Sequence, residues 1–174
     1  TNTFGESMIR RVYSSLPKFK GLDFKPGLNI LLADKSPGAT NRQTRNRAGK
    51  SSLTEIIHFL LGSNIDAGSL FKKQDLLQAT FGMDLDIGSS QVRVERISSN
   101  VNKVFILNGA TDDWIYTPSV DRAGENRSLS NSQWRNVLGC LMCGRSKEVQ
   151  TERCGPKFRP LFSYFVRSQN ARPS

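Results

Sequence analysis

Leu28-Asn29-Ile30-Leu31-Leu32-Ala33, then Thr44-Arg45-Asn46-Arg47-Ala48-Gly49-Lys50-Ser51-Ser52, then Leu53-Thr54-Glu55-Ile56-Ile57-His58-Phe59-Leu60-Leu61-Gly62: on these three neighbouring segments the reading of the chain turns. The apolar run predicts a strand, and Ser51 to Leu61 predicts an amphipathic helix. Leu53, Ile56, Ile57, Leu60 and Leu61 fall at i, i+3, i+4, i+7 and i+8 and so share one face, with Ser51, Glu55 and His58 off it. Gly62 is a natural helix stop. Strand, loop, Gly-Lys-Ser and helix in that order is the arrangement of a phosphate-binding loop. The tripeptide alone would arise by chance in about one chain in ten of this length, so the flanking segments carry the reading.

The expected chemistry follows from position. Backbone N–H groups of the loop and of the open first helical turn, with its partial positive charge, would converge on phosphate oxygens. In this reading Asn46, Arg47, Ala48, Gly49, Lys50, Ser51 and Ser52 line the nucleotide. Gly49 lets the backbone approach, and Lys50, the candidate catalytic residue, reaches the β and γ phosphates of a nucleoside triphosphate. The Ser51 hydroxyl is the candidate ligand of a bridging Mg²⁺, and Ser52 belongs to the first helical turn. Two positions depart from G-x-x-x-x-G-K-[ST]: Thr44 stands at the first glycine, and Arg47 where many such loops also carry glycine. Either the loop is a variant in which Arg45 and Arg47 add positive charge, or it is a basic surface loop beside an ordinary helix.

Beyond the helix, Thr80 to Ile87, Val92 to Ile97 and Val104 to Leu107 predict three strands, separated by Gly88-Ser89-Ser90 and by Ser98 to Asn102. Asp84 and Asp86 alternate with Met83 and Leu85, so they are expected on the face away from the core, as solvated strand carboxylates. Asn108 to Arg127 reads as a long polar connection around Trp114-Ile115-Tyr116, with room for a short hairpin. Ser130 with Gln133 has capping-box spacing, and Trp134, Val137, Leu138, Leu141 and Met142 form one stripe of a helix ended by Gly144. Phe158, Leu161, Phe162, Phe165 and Val166 predict a further helix.

The segment Phe19 to Gly62, with FKGLDFKPGLNILLAD and then TRNRAGKSSLTEIIHFLLG, resembles the N-terminal half of the ATP-binding heads of the SMC, RecF and RecN group of ABC-type ATPases. Those heads open with a strand, a phrase like F-x-G-L-N-V-I-x-G and then N-G-x-G-K-[ST]. The likeness extends to bacterial SMC-like proteins, some of ABC-three-component type, whose loop reads T-R-N-G-x-G-K-[ST]. The meander carrying Val92-Arg93-Val94-Glu95-Arg96 is similar to the β-subdomain that follows the helix in such heads. The resemblance implies an α/β P-loop NTPase lobe with an antiparallel β-subdomain and peripheral helices. It also implies nucleotide contact by Arg10 or Arg11 and a Mg²⁺- and γ-phosphate-sensing glutamine, for which Gln169 is the candidate. The four-residue apolar strand ending in Asp-Glu and the L-S-G-G-[EQ] loop of a complete head are absent from these 174 residues. The expectation is therefore an incomplete ABC-type head in a single domain, 1–174, with 1–7 read as upstream residues or an added tag. ATP hydrolysis, for DNA repair, chromosome organisation or defence, would need the C-terminal lobe and homodimerisation across the nucleotide. The chain alone is not expected to turn over ATP.

Charge is the second informative feature. Residues 1–50 carry +7, residues 51–144 −2 and residues 145–174 +5, for a net +10. Such a balance could draw DNA phosphates to the folded chain. A non-catalytic DNA-binding or assembly module with a vestigial loop is one alternative. A P-loop phosphotransferase is another, disfavoured by a meander placed directly after the helix. Cys140, Cys143 and Cys154 with the single His58 fall short of a closed zinc set on suitable elements, and reduced, partly buried thiols are expected. One histidine and no G-x-S-x-G elbow leave little basis for nucleophilic hydrolase chemistry. With neither a signal peptide nor a transmembrane-length apolar run, a cytoplasmic protein with no membrane partner is expected.

Overall fold

The structure is a computed structural model that describes residues 8–30, 50–66, 68–87 and 90–142, apart from the side chains of Lys50 and Ser51. In chain order the elements are strands β1 (Met8–Ser14) and β2 (Leu22–Asp23), helix α1 (Lys50–Leu60), strands β3 (Thr80–Ile87), β4 (Ser90–Ile97), β5 (Lys103–Asn108), β6 (Ser119–Val120) and β7 (Arg127–Ser130), and helix α2 (Asn131–Met142). Two short 3-10 turns, Leu70–Lys72 and Gln74–Leu76, lead from α1 into β3. The fold is mixed α/β. All seven strands join one sheet in the order β2-β1-β3-β4-β5-β7-β6, every pairing antiparallel.

Period-2 alternation sorts the sheet into two faces. Phe81, Met83, Leu85 and Ile87 of β3 are buried, as are Val92 and Val94 of β4, Val104 and Ile106 of β5 and Val12 of β1. Both helices contact strands of this sheet, and their apolar residues belong to the same core: Ile56, Ile57, Phe59 and Leu60 from α1, and Trp134, Val137 and Leu138 from α2. Gly82, Asp84, Asp86, Arg93 and Glu95 alternate onto the other side, where Asp84 pairs with Arg93 across the β3–β4 ladder.

The three-strand meander matches the sequence pattern closely, and so does the start of α2. The Ser130 N–H donates to the Gln133 side-chain oxygen (2.9 Å) and the Gln133 N–H donates to the Ser130 hydroxyl (3.2 Å), a closed capping box. The apolar run at Leu28 differs from expectation. Leu28, Asn29 and Ile30 are not in a strand, and Leu28 and Ile30 are 87% and 71% exposed. Pro26-Gly27 turns the chain, with φ +89° at Gly27. The Asn29 side chain accepts from the Lys25 N–H (3.0 Å) and donates to the carbonyls of Lys25 (2.7 Å) and Gly27 (3.1 Å). A local side-chain ring thus satisfies backbone groups of Lys25 and Gly27 just ahead of the run. Residues 31–33 lie outside the described residues.

The polar connection after β5 is better anchored than its composition suggests. Trp114 is buried and packs on Trp134 at 5.8 Å between ring centroids, and β6 and β7 close a hairpin that carries the chain into α2. The hairpin turn is held by Asp121, which accepts from the Glu125 N–H (3.0 Å) and the Asn126 amide (2.6 Å). These bonds lower the Asp121 carboxyl below its ordinary value. Cys140 is buried and disulfide-bonded, which corrects the expectation of a reduced thiol at this position. Composition does not say which sulfurs a fold brings within bonding reach. No helix among the described residues is long and apolar enough to cross a membrane.

Candidate functional site

The helix that the sequence singles out is built to be held still. α1 starts at Lys50, so Lys50, Ser51 and Ser52 form its first turn, and no acidic residue stands there. The first N–H groups of a helix have no intrahelical acceptor, and this end of α1 carries no side-chain anion to compete for them. Ser52 is exposed. Asn46, Arg47, Ala48 and Gly49 lie outside the described residues, as do Gln169 and the helix expected between Pro156 and Arg167.

Downstream of that turn, packing surrounds α1 on more than the predicted face. Ile56, Ile57, Leu60 and Leu61 are buried as the spacing requires, but Phe59, off that stripe, is fully buried too. Its ring stacks on Phe71 of the first 3-10 turn at 4.1 Å, and Phe71 meets Phe81 of β3 edge-on at 5.1 Å. Glu55 fastens the same turn to α1: its carboxylate accepts from the Ser69 hydroxyl (2.6 Å) and the Leu70 N–H (2.9 Å). The segment between α1 and β3 therefore forms a second wall against the helix. The sequence signal was present in Phe59 and Phe71, two aromatics that a one-face reading of α1 leaves unused.

The C-terminal end of α1 is held by a polar network drawn from α2 and β4 as well as from its own chain. Gly62 adopts φ +94°, the Ser63 N–H donates to the His58 carbonyl (2.9 Å) and the Gly62 N–H donates to the Phe59 carbonyl (2.9 Å), which together make a Schellman closure. From α2, the Trp134 indole N–H donates to the Leu60 carbonyl (2.9 Å) and the Asn131 amide donates to the Gly62 carbonyl (3.1 Å). From β4, Arg96 donates to the carbonyls of Phe59, Ser63 and Val101, with its guanidinium 4.1 Å from the Phe59 ring centroid. Arg96 is fully buried. Burial, with repulsion from Arg135, lowers its pKa to about 9, still high enough to leave it a cation at neutral pH.

The residues proposed for other roles are accounted for on the open face. Arg10 donates to Asp86 (2.6 Å), and Arg11 lies 3.6 Å from Asp23, so both arginines of β1 are engaged with carboxylates. Asp84 receives two bonds from Arg93 (2.6 and 2.8 Å). The two aspartates lie on the predicted face but are ion-paired there. Among the described residues no group of three or more His, Cys, Asp or Glu is placed to hold a metal. The described segments hold fourteen Lys and Arg against eleven Asp and Glu, so most of the net +10 lies outside them. No family model, curated protein or solved structure matches the chain.

Proposed function

We propose that the chain binds ATP at the N-terminal turn of α1, as the N-terminal lobe of an SMC/RecN-like ABC-type ATPase head. What carries the reading is the coincidence of Gly49-Lys50-Ser51 with the start of a buried, doubly anchored helix whose first turn holds no acid. Backbone N–H groups there would bind phosphate oxygens, and Lys50 would reach the β and γ phosphates. Ser51, next in the motif, would offer its hydroxyl to a Mg²⁺ ion, which when bound would neutralise charge on those phosphates. The antiparallel β3–β4–β5 meander that follows α1 supports this class over a P-loop phosphotransferase. Hydrolysis would require the C-terminal lobe and a second head across the nucleotide, in work on DNA. The open face offers little for a duplex, because Arg10, Arg11 and Arg93 each face a carboxylate. DNA contact would instead fall to the basic segments 31–50 and 143–174.

Titration with a fluorescent ATP analogue, with and without Mg²⁺, tests the proposal. Lys50→Ala should weaken Mg²⁺-dependent binding by about tenfold or more, the scale of a lost charge-assisted bond. Equal, weak binding by wild type and Lys50→Ala would sink the nucleotide reading and leave the assembly or DNA-binding module in its place.

A further inference from the structure

Among the described residues no carboxylate pairs with Arg96, a buried cation. Its two terminal nitrogens reach the Phe59 and Ser63 carbonyls at the end of α1 and the Val101 carbonyl in the β4–β5 turn, and its Nε has no partner. An isolated buried charge is costly, and an apolar side chain of similar length would fill the space with less desolvation. A cation there does something that an apolar residue cannot. It faces the negative end of the α1 dipole and ties that end to β4 and to the turn beyond it. Trp134 and Asn131 hold the adjacent carbonyls from α2, so the end of α1 is fixed from two directions.

A helix behaves as a rod over its eleven residues, about 16 Å at 1.5 Å per residue. Displacement or rotation at the Leu60 end therefore reappears at the Lys50 end. We infer that Arg96 is a positioning residue for the phosphate-binding turn: by gripping the carbonyls at the C-terminal end of α1 it fixes where Lys50 and the first-turn N–H groups stand. This inference rests on the nucleotide reading above. Its consequence is that a residue in the core, at the opposite end of the helix from the ligand, sets nucleotide affinity.

The test compares the Mg²⁺-dependent affinity of a fluorescent ATP analogue for wild type, Lys50→Ala, Arg96→Met, Arg96→Lys and Leu129→Ala, each well below its own melting temperature. Leu129, buried in β7 where it pairs with Val104, supplies a destabilised core with a side chain that can make no hydrogen bond to the end of α1. Arg96→Met should bind about tenfold more weakly than wild type, on the scale that small misplacements at a site produce. Arg96→Lys keeps the charge but lacks the guanidinium fork, and an intermediate loss of about threefold is expected. Leu129→Ala should bind within about twofold of wild type, since a core loss that leaves the hydrogen bonds at the end of α1 in place leaves the folded site unchanged. If both folded Arg96 variants bind as wild type does, or if Leu129→Ala loses as much affinity as Arg96→Met, the positioning role is overturned. Should Arg96→Met fail to fold, the Arg96→Lys comparison decides alone. If wild type and Lys50→Ala bind alike, the nucleotide reading itself fails, and that result is separate from any behaviour of Arg96.

Discussion

Arg93 and Arg96 stand three residues apart on β4, and they occupy opposite worlds. Arg93 points to the open face, about half exposed, and makes a two-pronged contact with Asp84 across the strand pair, which raises its pKa through the hydrogen bonds and charge of that carboxylate. Arg96 points to the helix-covered face, where carbonyls replace the carboxylate and burial lowers its pKa. One residue type thus serves two physical roles, assigned by strand parity alone. Water screens the first arginine and makes it replaceable. The second is held where no solvent can take over its bonds.

Breaking that comparison at its buried end should have the largest effect. Arg96→Met removes a donor from three carbonyls at the end of α1 and in the β4–β5 turn, of which that of Phe59 keeps the Gly62 N–H, and urea unfolding should show a loss of about 3 kcal/mol. A loss under about 1 kcal/mol would mean that the carbonyls find other donors and that the cation is dispensable.

An intermediate effect is expected where the open face is packed rather than merely charged. A Cβ on Gly82 would stand 2.2 Å from Cζ of the Tyr13 ring, so Gly82→Ala should drive the ring off the sheet and cost about 2 kcal/mol. The Tyr13 hydroxyl donates to Glu95 (2.9 Å), and its pKa is raised by burial first and by this bond second. Because the folded value lies above the ordinary 10.0, this contribution to stability is complete below pH 10.0 and is lost as pH rises past it. In a spectrophotometric titration, Glu95→Gln should move the Tyr13 transition down toward the ordinary value. An unchanged transition would mean that burial alone sets it.

The smallest effect should come from the exposed pair. Arg93→Ala is expected to cost about 0.5 kcal/mol, and less in high salt. A cost matching that of Arg96→Met would erase the distinction between the two faces.

Legibility in the sequence followed the amount of periodic signal each element carries. α1 and the β3–β4–β5 meander show five or more patterned residues apiece, and the capping box is a two-residue chemical signature. β2 and β6, two residues each, and β7, whose one large apolar residue is Leu129, offer no period to read. Leu28 to Ile30, the described part of the apolar run, stay out of the sheet beside a local ring closed by Asn29 after Pro26-Gly27. Parity on β4 put Arg96 on the core side with Val92 and Val94, but a charged residue beside Glu95 and Arg93 reads as surface unless its carbonyl partners are known. At the candidate site, the sequence supplied the first-turn residues of α1, whereas the clamp at its far end depends on Trp134, Asn131 and Arg96, residues 69 to 74 and 33 to 37 positions away from the carbonyls they hold. Contacts of that range leave no trace in local pattern.

Ser130 ends β7 in its pairing with Lys103, and the next residue, Asn131, opens α2 and donates its N–H to the Asn102 carbonyl (2.8 Å). Strand and helix therefore meet with no linker between them. A single residue inserted at this junction would turn the whole of α2 by about 100° about its axis. Trp134 would swing away from Trp114 and from the Leu60 carbonyl, and Val137 and Leu138 would leave the core with it. The joint should consequently be among the places in the chain least tolerant of insertion, whereas the Asp121–Asn126 turn a few residues earlier should accept added length with little loss.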